Sequence, residues 1–141
     1  MSCLGCRLAN QQAMVYAVFE DEHVCCILDR DPYNEGHVLI LPKKHVRYLE
    51  ELDAVTANAI MTAAQLVSKT IKALFQPDGI TICQNGGAFD DLGHFHMHVI
   101  PRYEGQSFAD FFLDDEAPAI DEAALEKTKG KMIRASKNFI I

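Results

Sequence analysis

The sequence is short of basic residues and has no long apolar run. Lys and Arg number 13 against 20 Asp and Glu, which gives a net charge of −7. A protein that neutralises the phosphates of a nucleic-acid polymer needs the opposite balance, whereas a small anionic ligand requires only a local site. No apolar stretch approaches the roughly 18 residues of a membrane-spanning helix, and the polar N-terminus is unlike a signal peptide. These absences predict a cytoplasmic protein with no nucleic-acid or membrane partner.

The sequence also lacks an even number of cysteines. Five cysteines in a chain with no secretory marker make a disulfide framework improbable, so we expect reduced thiols. Cys3 and Cys6 form a Cys-x-x-Cys pair, whose spacing fits a redox pair, half of a zinc site or no role at all. Internal repeats and low-complexity tracts are absent as well. The length of 141 residues suits a single domain over residues 1–141.

The pattern of apolar residues predicts five strands and two main helices in the order β-β-β-α-β-β-α. The predicted strands cover residues 15–19, 24–28, 37–41, 80–84 and 94–100. One predicted helix begins at the N-cap Asp53 and stops at 76–79, and a second covers 121–136. This order is typical of an α+β fold, an antiparallel sheet with helices packed on it. Before the last helix lies an apolar patch that could pack on the body or on a partner, made of Phe108, Phe111, Phe112 and Leu113.

Three histidines occupy alternate positions of the last predicted strand. His94, His96 and His98 would share one face, because alternate side chains of a strand point the same way. The other face would carry apolar residues and hold the strand against a core. A metal-binding cluster or an accidental polar face is the plain alternative.

The segment 94–100 resembles the signature of the histidine triad (HIT) family, His-φ-His-φ-His-φ-φ with φ apolar, at all seven positions. The resemblance covers roughly residues 3–102 and thins over the C-terminal extension 103–141. It implies a small α+β domain that pairs into a homodimer. It also implies an enzyme that cleaves a nucleotide at its α-phosphate through a nucleotidyl-histidine intermediate.

A zinc site would need two ligands beyond the cysteine pair. Zinc takes about four ligands in a tetrahedral array, commonly thiolates and imidazoles, and His45 and His94 are the candidates. In the zinc-bearing branch of the HIT family, and in the related galactose-1-phosphate uridylyltransferases, ligands occupy matching places. The resemblance therefore implies a structural zinc on Cys3, Cys6, His45 and His94. The alternative is an exposed loop histidine and disordered tail thiols.

The resemblance also implies roles for three further histidines. The middle histidine of the triad attacks the α-phosphate in the family, which makes His96 the nucleophile. A neutral imidazole is a good nucleophile toward phosphorus. His98 would orient the leaving group or assist its departure, and His37 would support the triad through hydrogen bonding. As an alternative, His37 is a solvent-facing residue at the start of a strand.

Three other residues are expected to contact the substrate. Asp29 lies where family members place an acid that binds the ribose hydroxyls, although a turn-capping aspartate is the plain alternative. Gln84 and Asn85 follow the fourth predicted strand and could donate amide hydrogen bonds to the phosphate oxygens.

Two carboxylates before the triad depart from the family pattern. Asp90 and Asp91 stand where Gln and Ser or Thr usually serve the phosphate. A carboxylate within about 4 Å of a phosphate costs a few kcal/mol at an effective dielectric near 20, so neither is expected to take over that contact. They could turn away, recognise a cationic leaving group or tune the protonation of His98. Arg30, where an apolar residue usually packs on the base, leaves the base preference open.

The function predicted is therefore hydrolysis or nucleotidyl transfer on a nucleoside phosphoramidate or similar nucleotide. The alternatives are a dinucleoside polyphosphate hydrolase and a nucleotide-binding module that has lost catalysis.

Overall fold

The computed structural model describes residues 3–107, 109 and 121–140. It contains one five-stranded antiparallel sheet with helices on it, which confirms the predicted α+β class. The strands, in chain order, are β1 Ala17–Glu20, β2 Val24–Leu28, β3 Val38–Pro42, β4 Gly79–Cys83 and β5 Met97–Arg102. Their order in the sheet is β1-β2-β3-β5-β4, so β5 lies between β3 and β4. The apolar patch predicted at Phe108, Phe111, Phe112 and Leu113 lies outside the described residues.

Three helices accompany the sheet: α1 Leu4–Ala9, α2 Ala54–Phe75 and α3 Glu122–Ser136. The N-cap predicted for α2 is confirmed, because the Asp53 carboxylate accepts a hydrogen bond from the Thr56 N–H at 2.7 Å. The helix ends where Gln76 takes a left-handed conformation, with φ of 50°. The short α1 was not predicted, since six residues carry too little periodicity to detect. No helix in the described ranges is long and apolar enough to cross a lipid bilayer.

The two faces of the sheet pack against different elements. Cys26, Ile40 and Val99 are buried on the face that packs against α2 and α3. Cys25 and Leu41 are buried on the opposite face, in a smaller cluster that includes residues of α1. His98 pairs with Leu39 across β3 and β5, and partners in register point to the same face. His98 therefore lies on the α1 face of the sheet.

The start of β5 was predicted wrongly. Pairing begins at Met97 rather than His94, because the segment before it bonds to the connection that follows β3. The Phe95 N–H donates to the Val46 carbonyl at 2.7 Å, and the Phe95 side chain is fully buried. His94 and His96 consequently lie before the strand and outside the ladder. The predicted ends of β2 are confirmed, and the remaining strand ends differ from the prediction by one or two residues.

Candidate functional site

Cys3, Cys6, His45 and His94 lie together at the N-terminal end of the molecule. The Cys6 Sγ is 3.3 Å from the His45 Nδ1 and 3.6 Å from the His94 Nδ1. The Cys3 Sγ is 3.5 Å from the same His94 nitrogen. Helix α1 presents both cysteines, because Cys3 is its N-cap and Cys6 lies within its first turn.

These distances fit a tetrahedral zinc ion. Bonds of about 2.3 Å to sulfur and about 2.0–2.1 Å to nitrogen place a thiolate and an imidazole roughly 3.6 Å apart around a tetrahedral centre. The His94 Nε2–H donates to the Pro42 carbonyl at 2.8 Å, so the neutral ring directs its Nδ1 lone pair toward the thiols. Four protein ligands would leave no open position, as in a structural site.

Gly5 lets α1 approach His94 closely enough to form this cluster. A Cβ added at Gly5 would overlap the His94 side chain. We expect Gly5→Ala to push α1 away and to lower the metal content of the purified protein to well under half of the wild-type value. Gly79→Ala is the matched control, because a Cβ there meets nothing within 4 Å. Equal metal content in the two variants would contradict the expectation.

His37 and His98 form a hydrogen-bonded pair whose tautomers follow from a backbone contact. The Tyr33 N–H donates to the His37 Nδ1 at 3.0 Å, so the neutral His37 ring carries its proton on Nε2. That Nε2 lies 2.9 Å from the His98 Nδ1. His98 must accept there and keep its own proton on Nε2. The pair thus makes His98 Nε2–H a hydrogen-bond donor.

Burial keeps both rings neutral at physiological pH. It lowers the pKa of His37 to about 3. The pKa of His98 is lowered to about 4, mainly by burial and further by the neighbouring His37 and His96. The donor role of His98 therefore persists over the whole neutral range.

These pKa values predict that stability falls in mild acid. Histidine in the unfolded chain has a pKa of about 6.5, well above the pKa values of His37 and His98 in the folded protein. At a pH between these values, the unfolded chain binds protons at both histidines and the folded protein does not, so stability rises with pH. From pH 7.5 to 5, each histidine should cost about 2 kcal/mol of unfolding free energy. Urea unfolding should show that His98→Asn loses about 2 kcal/mol less than wild type over this range.

The control for that experiment is His23→Asn, on a partly exposed histidine outside the site. The wild type and both variants keep the same cysteines and histidines of the metal cluster. Differences in how their unfolding free energies change with pH therefore arise from the substituted histidine. A His98→Asn slope equal to the other two would contradict the assigned pKa.

A hydrogen bond at Nδ1 of His96 leaves the lone pair of the other ring nitrogen, Nε2, available for attack. Its Nδ1 lies 2.9 Å from the His94 carbonyl, which can only accept, so Nδ1 carries the proton. The neutral ring then has its lone pair on Nε2. The rings of His96 and His98 are 5.1 Å apart between centroids. A lone pair and an N–H donor thus stand side by side, as attack on phosphorus with a polarised leaving group requires.

The two carboxylates that depart from the family pattern lie on different sides of His96. Asp90 is near Nδ1, at 3.8 Å, and its side chain is 0% exposed. Asp91 is near Nε2, at 3.7 Å, and its side chain is 95% exposed. Both carboxylates therefore lie close to His96, and the three outcomes considered for this pair stay predictions.

Of the other residues predicted to contact the substrate, Asp29 lies beside His37. One Asp29 oxygen accepts the Asp31 N–H at 2.9 Å, as in the turn-capping alternative, while the other is 3.4 Å from the His37 Nε2. Burial is the main reason why the pKa of Asp29 is raised. Gln84 follows β4 and donates to the Asn85 carbonyl at 2.8 Å. Arg30 forms an ion pair with Glu122 of α3 at 3.1 Å.

Sequence reasoning missed the backbone groups that orient the imidazoles. The carbonyls of Pro42 and His94 and the N–H of Tyr33 set which nitrogen of each ring carries the proton. Every residue carries such groups, so no sequence signal marks them. Gly5 was detectable only as the small residue between the two cysteines.

Comparison with other proteins identifies relatives of this chain. A HIT domain family model matches residues 10–105. An uncharacterized HIT-like protein of Methanocaldococcus jannaschii is 36% identical over 132 residues, covering 91% of this chain and 99% of that protein. Adenylylsulfatase HINT3 of Arabidopsis thaliana is 33% identical over 104 residues, covering 72% of this chain and 53% of that protein.

Solved structures show the same fold. A hypothetical histidine triad nucleotide-binding protein from Sulfolobus tokodaii aligns with a TM-score of 0.83 at 30% identity, covering 97% of this chain and 93% of that one. A Zn-bound histidine triad family protein from Mycobacterium smegmatis aligns with a TM-score of 0.79 at 27% identity, covering 99% and 96%. The chain therefore belongs to the HIT family.

Proposed function

We propose that this protein hydrolyses a nucleoside phosphoramidate, or transfers its nucleotidyl group, through a covalent intermediate on His96. The observation that supports this most is the hydrogen bonding of two neighbouring rings, which leaves a lone pair on His96 Nε2 and an N–H on His98 Nε2. The relative HINT3 is named an adenylylsulfatase, and this name describes hydrolysis of a nucleotide with a different leaving group.

The reaction would proceed in two displacements. The Nε2 lone pair of His96 forms a bond to the α-phosphorus, and the bond to the leaving nitrogen breaks with its electron pair on that nitrogen, which takes a proton from water. His98 Nε2–H would donate a hydrogen bond to the leaving group. Water then attacks phosphorus and gives up a proton to the solvent, while the bond to phosphorus breaks with its electron pair on His96 Nε2 and the nucleoside monophosphate is released. Gln84 and Asn85 would donate hydrogen bonds to the equatorial oxygens, and the Asp29 carboxylate would accept hydrogen bonds from the ribose hydroxyls.

We also propose that Cys3, Cys6, His45 and His94 hold a structural zinc. The ligand distances support this, as does the zinc in the related M. smegmatis protein. When bound, the ion would tie α1 to the segment that carries His94. His96 is only two residues further along the chain, so the metal would help to position the nucleophile without taking part in the reaction.

Asp91 supports an amine as the leaving group. Its exposed carboxylate lies 3.7 Å from the attacking nitrogen, and its charge would favour a leaving group that is a cationic amine over one that is an anion. We expect Asp91→Asn to lower kcat/KM roughly 10-fold on an adenosine phosphoramidate relative to diadenosine polyphosphate, because only the amine gains from the charge. The Asp90→Asn, Asp91→Asn double variant should show at least the same change in preference. Unchanged relative rates in both would reject this choice of substrate.

The proposal includes a cytoplasmic homodimer. None of the five cysteines forms a disulfide, which suits a reducing compartment. Light scattering on the purified protein should give twice the mass of 15.7 kDa.

A panel of nucleotides tests the function itself. Adenosine and guanosine phosphoramidates, diadenosine polyphosphates, and AMP as a non-reacting ligand would be assayed with the wild-type protein. Turnover that is fastest on a phosphoramidate supports the proposal, and turnover fastest on a diadenosine polyphosphate selects the alternative hydrolase. Binding of AMP without turnover of any substrate would leave a non-catalytic nucleotide-binding module.

A further inference from the structure

Asp90 is a buried carboxylate with an oxygen that nothing satisfies. Its Oδ1 accepts the N–H groups of Leu92 and Gly93 at 2.9 and 3.1 Å, which closes the turn before the triad. Its Oδ2 is buried and has no hydrogen-bond partner. A polar atom left in this state costs free energy, so its presence calls for a physical explanation.

No permanent cation compensates this charge within the described residues. The ion pairs of Asp90 found there involve only His96, and no lysine or arginine. A zinc ion at the nearby cluster would not compensate it either, because two thiolates cancel its two positive charges and neutral imidazoles add none. The buried carboxylate thus faces the imidazole ring of His96.

That ring becomes a cation during the proposed reaction. When His96 Nε2 forms its bond to phosphorus, the bond to the leaving group breaks and carries its electrons away. The ring keeps the proton on Nδ1 and therefore holds one positive charge until water displaces it. Nδ1, the nitrogen nearer Asp90, shares that charge with Nε2.

We propose that Asp90 is the electrostatic partner of His96 and stabilises the imidazolium of the nucleotidyl-enzyme. This inference rests on the proposed function, and it makes Asp90 a positioning residue that acts through His96 rather than on the substrate. The carboxylate lies behind the ring, near Nδ1, so the substrate phosphate at Nε2 is on the far side. Water is excluded at Asp90, so the attraction is screened less than at a surface.

The test is Asp90→Asn, which removes the charge while an amide oxygen can still accept the two turn hydrogen bonds. At saturating adenosine phosphoramidate, rapid quenching should show formation of the nucleotidyl-enzyme slowed by roughly 10- to 100-fold. The dissociation constant for AMP should stay equal or become smaller, because a negative charge near the phosphate has been removed. A merely structural role would weaken AMP binding together with the rate.

Asp21→Asn is the matched control. Asp21 caps the turn between β1 and β2 with the same pattern, one oxygen accepting the N–H groups of His23 and Val24 at 2.7 and 2.9 Å. It lies outside the site, so its rate should remain within about twofold of wild type. Should Asp90→Asn lose its fold, Asp90→Ser repeats the test with a hydroxyl as turn acceptor.

The outcomes separate this inference from the function on which it rests. A wild-type protein that forms an adduct, with Asp90→Asn or Asp90→Ser as fast as Asp21→Asn, overturns the role of Asp90 alone. A rate loss matched by an equal loss of AMP affinity or of zinc also overturns it. A wild-type protein that binds AMP yet neither turns over nor forms an adduct overturns the proposed function, and the inference with it.

Discussion

His96→Ala is expected to abolish turnover, lowering kcat by roughly 10⁴-fold or more, because it removes the atom that forms the bond to phosphorus. AMP binding should change only a few-fold, since the phosphate and ribose contacts proposed for Gln84, Asn85 and Asp29 remain. Steady-state kinetics on an adenosine phosphoramidate, with calorimetry of AMP binding, would measure both effects.

His98→Ala provides the comparison within the triad. It removes the hydrogen bond to the leaving group but keeps the nucleophile, so a loss of about 10²- to 10⁴-fold is expected. His23→Ala, outside the site, should retain wild-type kinetics. If His98→Ala were the more damaging of the two triad variants, the assignment of His96 as the nucleophile would be wrong.

The second large effect is expected from Cys6→Ser, which should release the zinc and destabilise the protein. Cys6 Sγ contacts both histidines of the cluster, at 3.3 and 3.6 Å. Losing a structural metal belongs to the mechanisms that exceed about 4 kcal/mol, and for a chain of this size that corresponds to a fall in Tm of roughly 10–20 °C. Metal analysis and calorimetry would record the two changes together.

Cys83→Ser is the control for that substitution. Cys83 is another partly exposed free cysteine, at the end of β4 and outside the metal cluster. Its replacement should leave the metal content unchanged and shift Tm by a few degrees at most. A Cys6→Ser protein with full zinc content, or with the same Tm as Cys83→Ser, would contradict a structural metal at this cluster.

The fold could be predicted from the sequence because its main elements carry strong local patterns. The apolar stripe of α2, with Ile60, Val67 and Ile71 buried, follows directly from a helical period, and Asp53 marks its start. The strands 24–28 and 38–42 read as apolar runs. The short α1 has no such pattern, and it forms because Cys3 caps it and Gly5 packs against His94.

The site could be predicted less completely, because its geometry depends on contacts between distant parts of the chain. Residue types and spacing indicated four candidate zinc ligands, and the fold brings these together: Cys3, Cys6, His45 and His94. The hydrogen bond from His94 to the Pro42 carbonyl joins residues 52 positions apart, and no local sequence pattern predicts it. For the same reason, the sequence could not predict that the side chain of Asp90 is buried while that of its neighbour Asp91 is exposed.

The most direct test of the central claim is to trap the nucleotidyl-enzyme. Wild-type protein mixed with an adenosine phosphoramidate, quenched within milliseconds and analysed by intact-mass and peptide mass spectrometry, should carry one adenylyl group on His96. The same experiment with His96→Ala should give no adduct. An adduct on another residue, or turnover by the wild-type protein with no adduct at any quench time, would contradict the account.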